Sequence, residues 1–314
     1  SPMAGKKSKA TTTGRAKSAL TQEELANARK YFESNNLLLN PPIKRAAYSD
    51  RTAWVMASMS QLVYERFEEK GKARDLLVQK LKGGGFELLG EFHSPKTDTQ
   101  GFLVSNGEYA VLAFRGTEAA KGMDIKTDAK AFRASVFEGR VHRGFAEAYK
   151  SIEAQALKAL PKVKGLPLYI TGHSLGAAVA TIATQYLERD HELRDQIAAC
   201  YTFGSPRVGN REFDRDLKSS VYRVVNTTDI VTVLPLLSMG YTHIGDVRFL
   251  ERAMGEIRRG IPFLQRLFFF LMAAFRLFGP LVGDHAIAEY RRKLEAVAQA
   301  RNVDLYYDPG KRGR

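Results

Sequence analysis

Residues Gly172-His173-Ser174-Leu175-Gly176 fit the pattern G-x-S-x-G. A serine in that frame acts as a nucleophile when it stands on a sharp turn between a strand and a helix. The sequence supplies both neighbours, the apolar run LPLYIT before it and the small-residue run LGAAVATIATQYLE after it. The two glycines suit a turn too tight for side chains at those places. The helix N-terminus that follows adds partial positive charge near a developing oxyanion. A serine hydroxyl attacks poorly until a base takes its proton, and that base is a histidine oriented by a carboxylate. Acyl transfer through a covalent serine intermediate is the chemistry these residues allow.

The partners must come later in the chain, in the order Ser, then Asp or Glu, then His. The downstream histidines are His191, His243 and His285. His191 lies in the polar run ERDHELRD and is expected at an exposed helix end. Chemistry alone does not choose between His243 and His285. Asp229 closes the apolar run VYRVVN, and catalytic carboxylates of open α/β sheets sit at such strand ends. Asp246 and Asp284 are rival acids, each close in sequence to a histidine. The oxyanion needs donors, and losing one costs about 10²–10³ in rate. One is expected from the backbone N–H of Leu175, the residue after the nucleophile. The second should come from a loop after an earlier strand, and EYAVLAFRGT ends in such a loop. No Asp/Glu/His cluster suggests a calcium or zinc site, so neither metal nor cofactor is expected. Cys200, the single cysteine, sits in IAACYTFG and reads as a buried strand thiol.

The elements that must hold these residues follow from periodicity and punctuation. Residues 1–20 carry Lys6, Lys7, Lys9, Arg15 and Lys17 with almost nothing to bury, and read as a disordered basic tail. Residues 21–314 read as one α/β domain. Thr21 and Glu24 form a capping box for a short helix. Asp50 is expected to cap a helix over RTAWVMASMSQLVYERF, followed by a flexible connection ending at Gly83-Gly84-Gly85. FELLGEFHS, TQGFLVSN and EYAVLAFRG read as strands, the last two joined by a two-residue hairpin at Asn106-Gly107. A helix is expected from about Gly144 to Leu160, another from Phe213 to Ser219, and buried strands at LPLYIT, IAACYTFG and VYRVVN. Strands alternating with helices predict a mixed, mostly parallel sheet covered by helices.

At this point the chain resembles the class 3 (fungal-type) lipase family of α/β hydrolases. The resemblance rests on ordered blocks: LAFRGT at 112–117, VHRGF at 141–145, ITGHSLGAAVA at 170–180, TFGSPRVGN at 202–210, NTTDIVTVLP at 226–235, YTHIGDVRF at 241–249 and DHAIAEY at 284–290. They span about residues 90–290. The resemblance implies Ser174 as nucleophile, Asp229 as triad acid and His285 as triad base, which leaves His243 structural. It also implies the backbone N–H of Thr117 as second oxyanion donor, with Arg115 and Gly116 shaping that turn, and Asp128 as an anchor of the loop. His142 is expected to be a hydrogen-bonded structural residue. The expected activity is hydrolysis of carboxylic esters of membrane glycerolipids, as a lipase or phospholipase. Two alternatives are a soluble esterase for short-chain esters and a non-catalytic membrane-binding scaffold.

The segment after the oxyanion strand, EAAKGMDIKTDAK, carries only Met123 and Ile125 as large apolar residues, where secreted members of the family have an amphipathic lid. A different segment is strongly apolar. IPFLQRLFFFLMAAFRLFG, within an insertion at about 256–280, predicts a helix of roughly 17 residues, on the order of 25 Å. It lies between Asp229 and His285. A membrane crossing there would put these residues on opposite sides although they must meet, and Arg266 and Arg276 would be costly at depth. A buried core or homodimer helix is the plain alternative. The favoured expectation is a helix in the membrane interface or over the active-site mouth, presenting Phe263, Leu264, Leu267, Phe268, Phe270, Leu271, Phe275 and Phe278. The net charge of +14 suits an anionic membrane surface, and no nucleic-acid-binding pattern accompanies it. The N-terminal stretch lacks an apolar core, so no signal peptide is expected. The expected location is cytoplasmic or peripheral on a membrane, with leaderless export as a variant.

Overall fold

The computed structural model describes residues 19–33, 38–41, 47–116, 133–226, 229, 232, 240–250, 257–258 and 286–302. Helix α1 (Gln22–Arg29) opens with the expected box. Thr21 Oγ1 accepts from the Glu24 N–H at 3.2 Å, and Glu24 Oε2 accepts from the Thr21 N–H at 2.9 Å. Helix α2 (Asp50–Leu62) is capped one residue earlier than expected. Ser49 has the extended backbone and accepts the Thr52 N–H, while Asp50 binds Arg301 at 2.7 Å. Helix α3 (Lys72–Gly83) replaces the expected flexible connection. Leu77 and Leu81, one turn apart, are buried. Ion pairs Lys72–Glu24 and Lys80–Glu65 tie the helix to its neighbours.

Strands β1 (Glu87–Ser94), β2 (Thr99–Ser105) and β3 (Ala110–Phe114) form an antiparallel meander. The β2–β3 tip is Gly107-Glu108, one residue beyond the expected pair, because Asn106 is the first residue of the turn. Its Oδ1 accepts the N–H groups of Glu108 and Tyr109 at 3.0 and 3.1 Å, as Asn does when it closes a turn on its own backbone. A small hairpin of β4 (Arg133–Val136) and β5 (Gly139–His142) leads into α4 (Arg143–Ala159). Then follow β6 (Leu168–His173), α5 (Leu175–Leu187), α6 (His191–Gln196), β7 (Ile197–Phe203), α7 (Arg211–Asp216), β8 (Val221–Asn226), β9 (Asp246–Leu250), β10 (Ile257–Arg258) and α8 (Ile287–Asn302). Helix α7 starts two residues ahead of expectation because Asn210 caps it through the Phe213 N–H.

Among the described residues, eight strands form one sheet in the order β1-β2-β3-β6-β7-β8-β9-β10. The run β3-β6-β7-β8-β9 is parallel and the outer pairings are antiparallel. This is the expected mixed, mostly parallel sheet of the α/β-hydrolase fold. Alternate residues of each central strand face opposite layers, as a period of two requires. Phe102, Val111, Tyr169 and Tyr201 join α2, α3 and α8 in one core, whereas Leu103, Leu112, Ile170 and Cys200 join α4 and α5 in the other. Both faces are covered, so β3, β6 and β8 are buried along their whole length, which is why they read as largely apolar runs. No helix among the described residues is long and apolar enough to cross a membrane. The Phe-rich stretch from Phe263 to Phe278 lies outside the described residues.

Candidate active site

The parallel strands β3, β6 and β8 run the same way, so their C-terminal ends share one edge of the sheet, where open α/β folds place their sites. Ser174 follows the end of β6 directly. Its backbone stands at φ 57 and ψ −127, a conformation that costs a non-glycine residue about 1–3 kcal/mol. The surroundings hold it there. The Ser174 N–H donates to the Phe203 carbonyl at 3.0 Å, and the Ser174 carbonyl accepts the Ala177 N–H at 3.0 Å. The flanking glycines are forced by contact. A Cβ on Gly172 would sit 2.1 Å from the Gly176 carbonyl oxygen, and one on Gly176 would sit 2.3 Å from the Phe114 carbonyl oxygen. The expected strand–turn–helix elbow is thus present, with Leu175 as the first residue of α5.

Asp229 lies three residues past the end of β8, on the same edge as Ser174, and is 4% exposed. Its Oδ2 accepts a hydrogen bond from the Tyr290 hydroxyl at 2.6 Å. Its backbone N–H donates to the Asn226 carbonyl at 3.0 Å, and its carbonyl accepts the Thr232 hydroxyl at 2.8 Å. The Tyr290 hydroxyl in turn accepts the Asn226 N–H at 3.0 Å. Burial, and then the negative charge of Asp229, push the Tyr290 hydroxyl well above the ordinary tyrosine range. It therefore stays protonated and remains a donor to the carboxylate. Tyr290 ends the block DHAIAEY, yet nothing in its spacing announced a partner for Asp229.

The rival groups fall elsewhere. In the register of β8 with β9, Asp246 stands opposite Tyr222 and Leu250 opposite Asn226. Asp246 is therefore at the edge away from Ser174, where it pairs with Arg248 at 2.7 Å. His243 follows Thr242, whose N–H donates to the Gly209 carbonyl at 2.7 Å. His142 caps α4, its Nδ1 accepting the Gly144 N–H at 3.2 Å, which matches its expected structural role. His191 opens α6 and is exposed, with Arg194 3.1 Å from its Nδ1. Cys200 is buried in β7, and burial pushes its thiol up to about 12. His285, Thr117, Asp128 and Asp284 lie outside the described residues. The chain is described again from Ala286, and Tyr290, in the first turn of α8, holds Asp229.

The stretch leading to Thr117 is held by residues that had no role in the sequence pattern. The Arg115 guanidinium grips the Glu68 carboxylate with both arms, at 2.7 and 3.2 Å, and its Nε donates to Gln100 at 2.8 Å. Its backbone N–H donates to the Gln100 carbonyl at 2.9 Å. Glu68 and Gln100 are remote in sequence and carry no local signal. The Tyr64 hydroxyl lies 3.0 Å from His173 Nδ1. Tyr64 fell inside the helix expected over RTAWVMASMSQLVYERF, which ends at Leu62 in the structure, and nothing in the pattern singled it out.

Residues 111–239, which carry the elbow and Asp229, match the family model described as Lipase (class 3). Over this segment the chain is similar to the class 3 lipase family. Two relatives are secreted lipases. The secreted mono- and diacylglycerol lipase 1 of Fusarium solani is 38% identical over 35% of this chain and 34% of its own length. The secreted mono- and diacylglycerol lipase A of Penicillium cyclopium is 32% identical over 47% and 50%. The chain thus spans half or less of the length of these relatives. The crystal structure of the mono- and diacylglycerol lipase from Aspergillus oryzae is similar in fold, with a TM-score of 0.55 and 22% identity over 67% of this chain and 82% of that one. These names correct the expected cytoplasmic or leaderless placement without a signal peptide, because the relatives of this lipase segment are secreted proteins.

Proposed function

We propose that this chain is a lipase that hydrolyses carboxylic esters of glycerolipids through an acyl-enzyme on Ser174, with Asp229 and His285 completing the triad. The observation that carries the proposal is the left-handed backbone of Ser174 at the end of β6, a strained geometry that sets a nucleophile's hydroxyl at the edge of the sheet. The lipase names of the relatives support the ester class. The position of Asp229 on the same edge supports it as triad acid. The place of Asp246 at the opposite edge sets it aside as the acid, and the resemblance of DHAIAEY to the family's block favours His285 as base.

In this mechanism Ser174 Oγ attacks the ester carbonyl carbon while His285 takes its proton. The carbonyl oxygen becomes an oxyanion held by the N–H groups of Leu175 and Thr117. The C–O bond to the glycerol oxygen breaks, and His285 returns the proton to that oxygen. A water then attacks the acyl-enzyme with His285 again as base, which releases the fatty acid and restores Ser174. Asp229 stabilises the imidazolium throughout. The Phe-rich segment, with its neighbouring Arg258, Arg259, Arg266 and Arg276, is proposed to rest on an anionic lipid surface.

The test is fatty-acid release from vesicles containing phospholipid, diacylglycerol and triacylglycerol, resolved by mass spectrometry, for wild type and Ser174→Ala. Serine-dependent release of fatty acid is expected. Lysophospholipid among the products extends the activity to a phospholipase, and release from glycerides alone confines it to those. Equal release by Ser174→Ala refutes the nucleophile. Cleavage of short soluble esters alone replaces the lipase with an esterase. Unchanged vesicle binding after deletion of residues 261–279 removes the membrane role of that segment.

A further inference from the structure

Helix α8 does more than carry Tyr290 to Asp229. One turn further along it, Lys293 is 4% exposed, and its Nζ donates to Asn226 Oδ1 at 2.6 Å and lies 3.7 Å from Glu289 Oε1. Asn226 is the last residue of β8 and is fully buried. It is held on three sides. Its side-chain oxygen receives Lys293, its N–H goes to Tyr290 Oη at 3.0 Å, and its carbonyl receives the Asp229 N–H at 3.0 Å. The turn from Asn226 to Asp229 is thus bound at both ends by side chains of a single helix.

The helix itself is fixed from its other side. Arg291 donates to Ser58 Oγ at 2.8 Å and to the Tyr31 carbonyl at 2.9 Å, and Arg301 meets Asp50 at 2.7 Å, so α8 is docked on α2 and the end of α1. An ammonium in the interior is costly unless it is paired and hydrogen-bonded. An apolar side chain of similar length would fill the space without that cost. A lysine here has a use if the placement of Asn226 matters.

We infer that Lys293 is a positioning residue for the triad acid, acting through Asn226 to hold the turn that carries Asp229. The inference rests on the reading of Asp229 as the acid. A displacement of about 1 Å at such a site lowers the rate by about 10²-fold, and a turn anchored by a buried cation resists that displacement.

The test uses the full chain and p-nitrophenyl butyrate, with active sites counted by a phosphonate inhibitor. Lys293→Met is expected to lower kcat by about 10–100-fold with KM within about twofold. Lys293→Arg, which keeps a charged donor, is expected to recover much of that loss. In an Asp229→Asn background Lys293→Met should add little, because the group it positions is already disabled. Three results overturn the inference: unchanged kcat per active site in Lys293→Met, no recovery in Lys293→Arg, or a full multiplicative loss on top of Asp229→Asn. If Lys293→Met does not fold, the same comparisons on Lys293→Gln decide. Wild-type kcat in Asp229→Asn alone is a separate outcome. It removes the reading of Asp229 as acid, and the inference falls with it.

Discussion

The Tyr64 hydroxyl lies 3.0 Å from Nδ1 of His173, the residue before the nucleophile. The rings meet edge to face with centroids 5.9 Å apart. The same hydroxyl closes on the oxyanion stretch, since a Cβ on Gly116 would come within 2.8 Å of it. Tyr64 therefore touches both the nucleophile turn and the approach to Thr117. Tyr64→Phe keeps the ring and removes only the hydroxyl. It should cost about 1–2 kcal/mol of stability, the usual cost of leaving a buried partner unpaired, and lower kcat about tenfold. Thermal unfolding and ester kinetics on the same preparation check this. An unaltered kcat would show that the contact with His173 does not shape the site.

The strain at Ser174 has its own signature. At φ 57 and ψ −127, alanine suffers as serine does, whereas glycine takes that backbone freely. Both Ser174→Ala and Ser174→Gly should be inactive, but Ser174→Gly should be the more stable by about 1 kcal/mol. Denaturant midpoints for the two variants supply the comparison. Equal midpoints, or a less stable glycine variant, would mean that the elbow stores no strain.

Much of this site could be read from the chain because its signals are local. The elbow needs glycines within two residues of the serine, and the central strands announce themselves as apolar runs because both their faces are covered. The capping box of Thr21 and Glu24 is likewise confined to one turn. What escaped was set by distant contacts. Helix α3 was missed although it carries Leu76, Leu77, Val78 and Leu81, because only Leu77 and Leu81 are buried and the helix is tied down by ion pairs to Glu24 and Glu65 that the sequence does not announce. The cap of α2 and the tip of the β2–β3 hairpin were each displaced by one residue, since Ser49 beside Asp50 and Asn106 beside Gly107 offer adjacent residues suited to the same job. Glu68, Tyr64 and Lys293 gain their meaning only when folding brings them to Arg115, His173 and Asn226. Spacing along the chain carries no trace of such pairs.

Arg115 and Glu68 are 11% and 10% exposed and joined by both arms of the guanidinium. Breaking a buried pair leaves an uncompensated charge and costs about 3–5 kcal/mol, whereas replacing both partners by apolar residues is often close to neutral. Glu68→Gln should therefore lose roughly 3 kcal/mol, and Arg115→Met with Glu68→Met should recover part of it. Activity should fall in every case, because the oxyanion stretch loses its anchor. Chemical denaturation and kinetics on the three proteins measure both effects. A double variant less stable than Glu68→Gln would assign the cost to the lost Gln100 contacts instead.

Cys200 supplies a prediction about pH. Its thiol is buried in β7, and burial holds it protonated up to about 12, against about 8.5 in an unfolded chain. The folded state keeps the proton longer, so this group favours folding fully below about pH 8.5 and loses that influence as pH rises toward about 12, where the unfolded thiol has already ionised. Between roughly pH 9 and 11 the wild type should lose about 1.4 kcal/mol per pH unit more than Cys200→Ala, which has no thiol to ionise. The tyrosines titrate in both proteins and cancel from the difference. Denaturation at a series of pH values gives the two slopes. The native protein should also resist a thiol reagent at pH 8 and react once unfolded. Parallel slopes together with rapid labelling of the native protein would place the thiol within reach of water, and β7 would then be open where the fold requires it to be sealed.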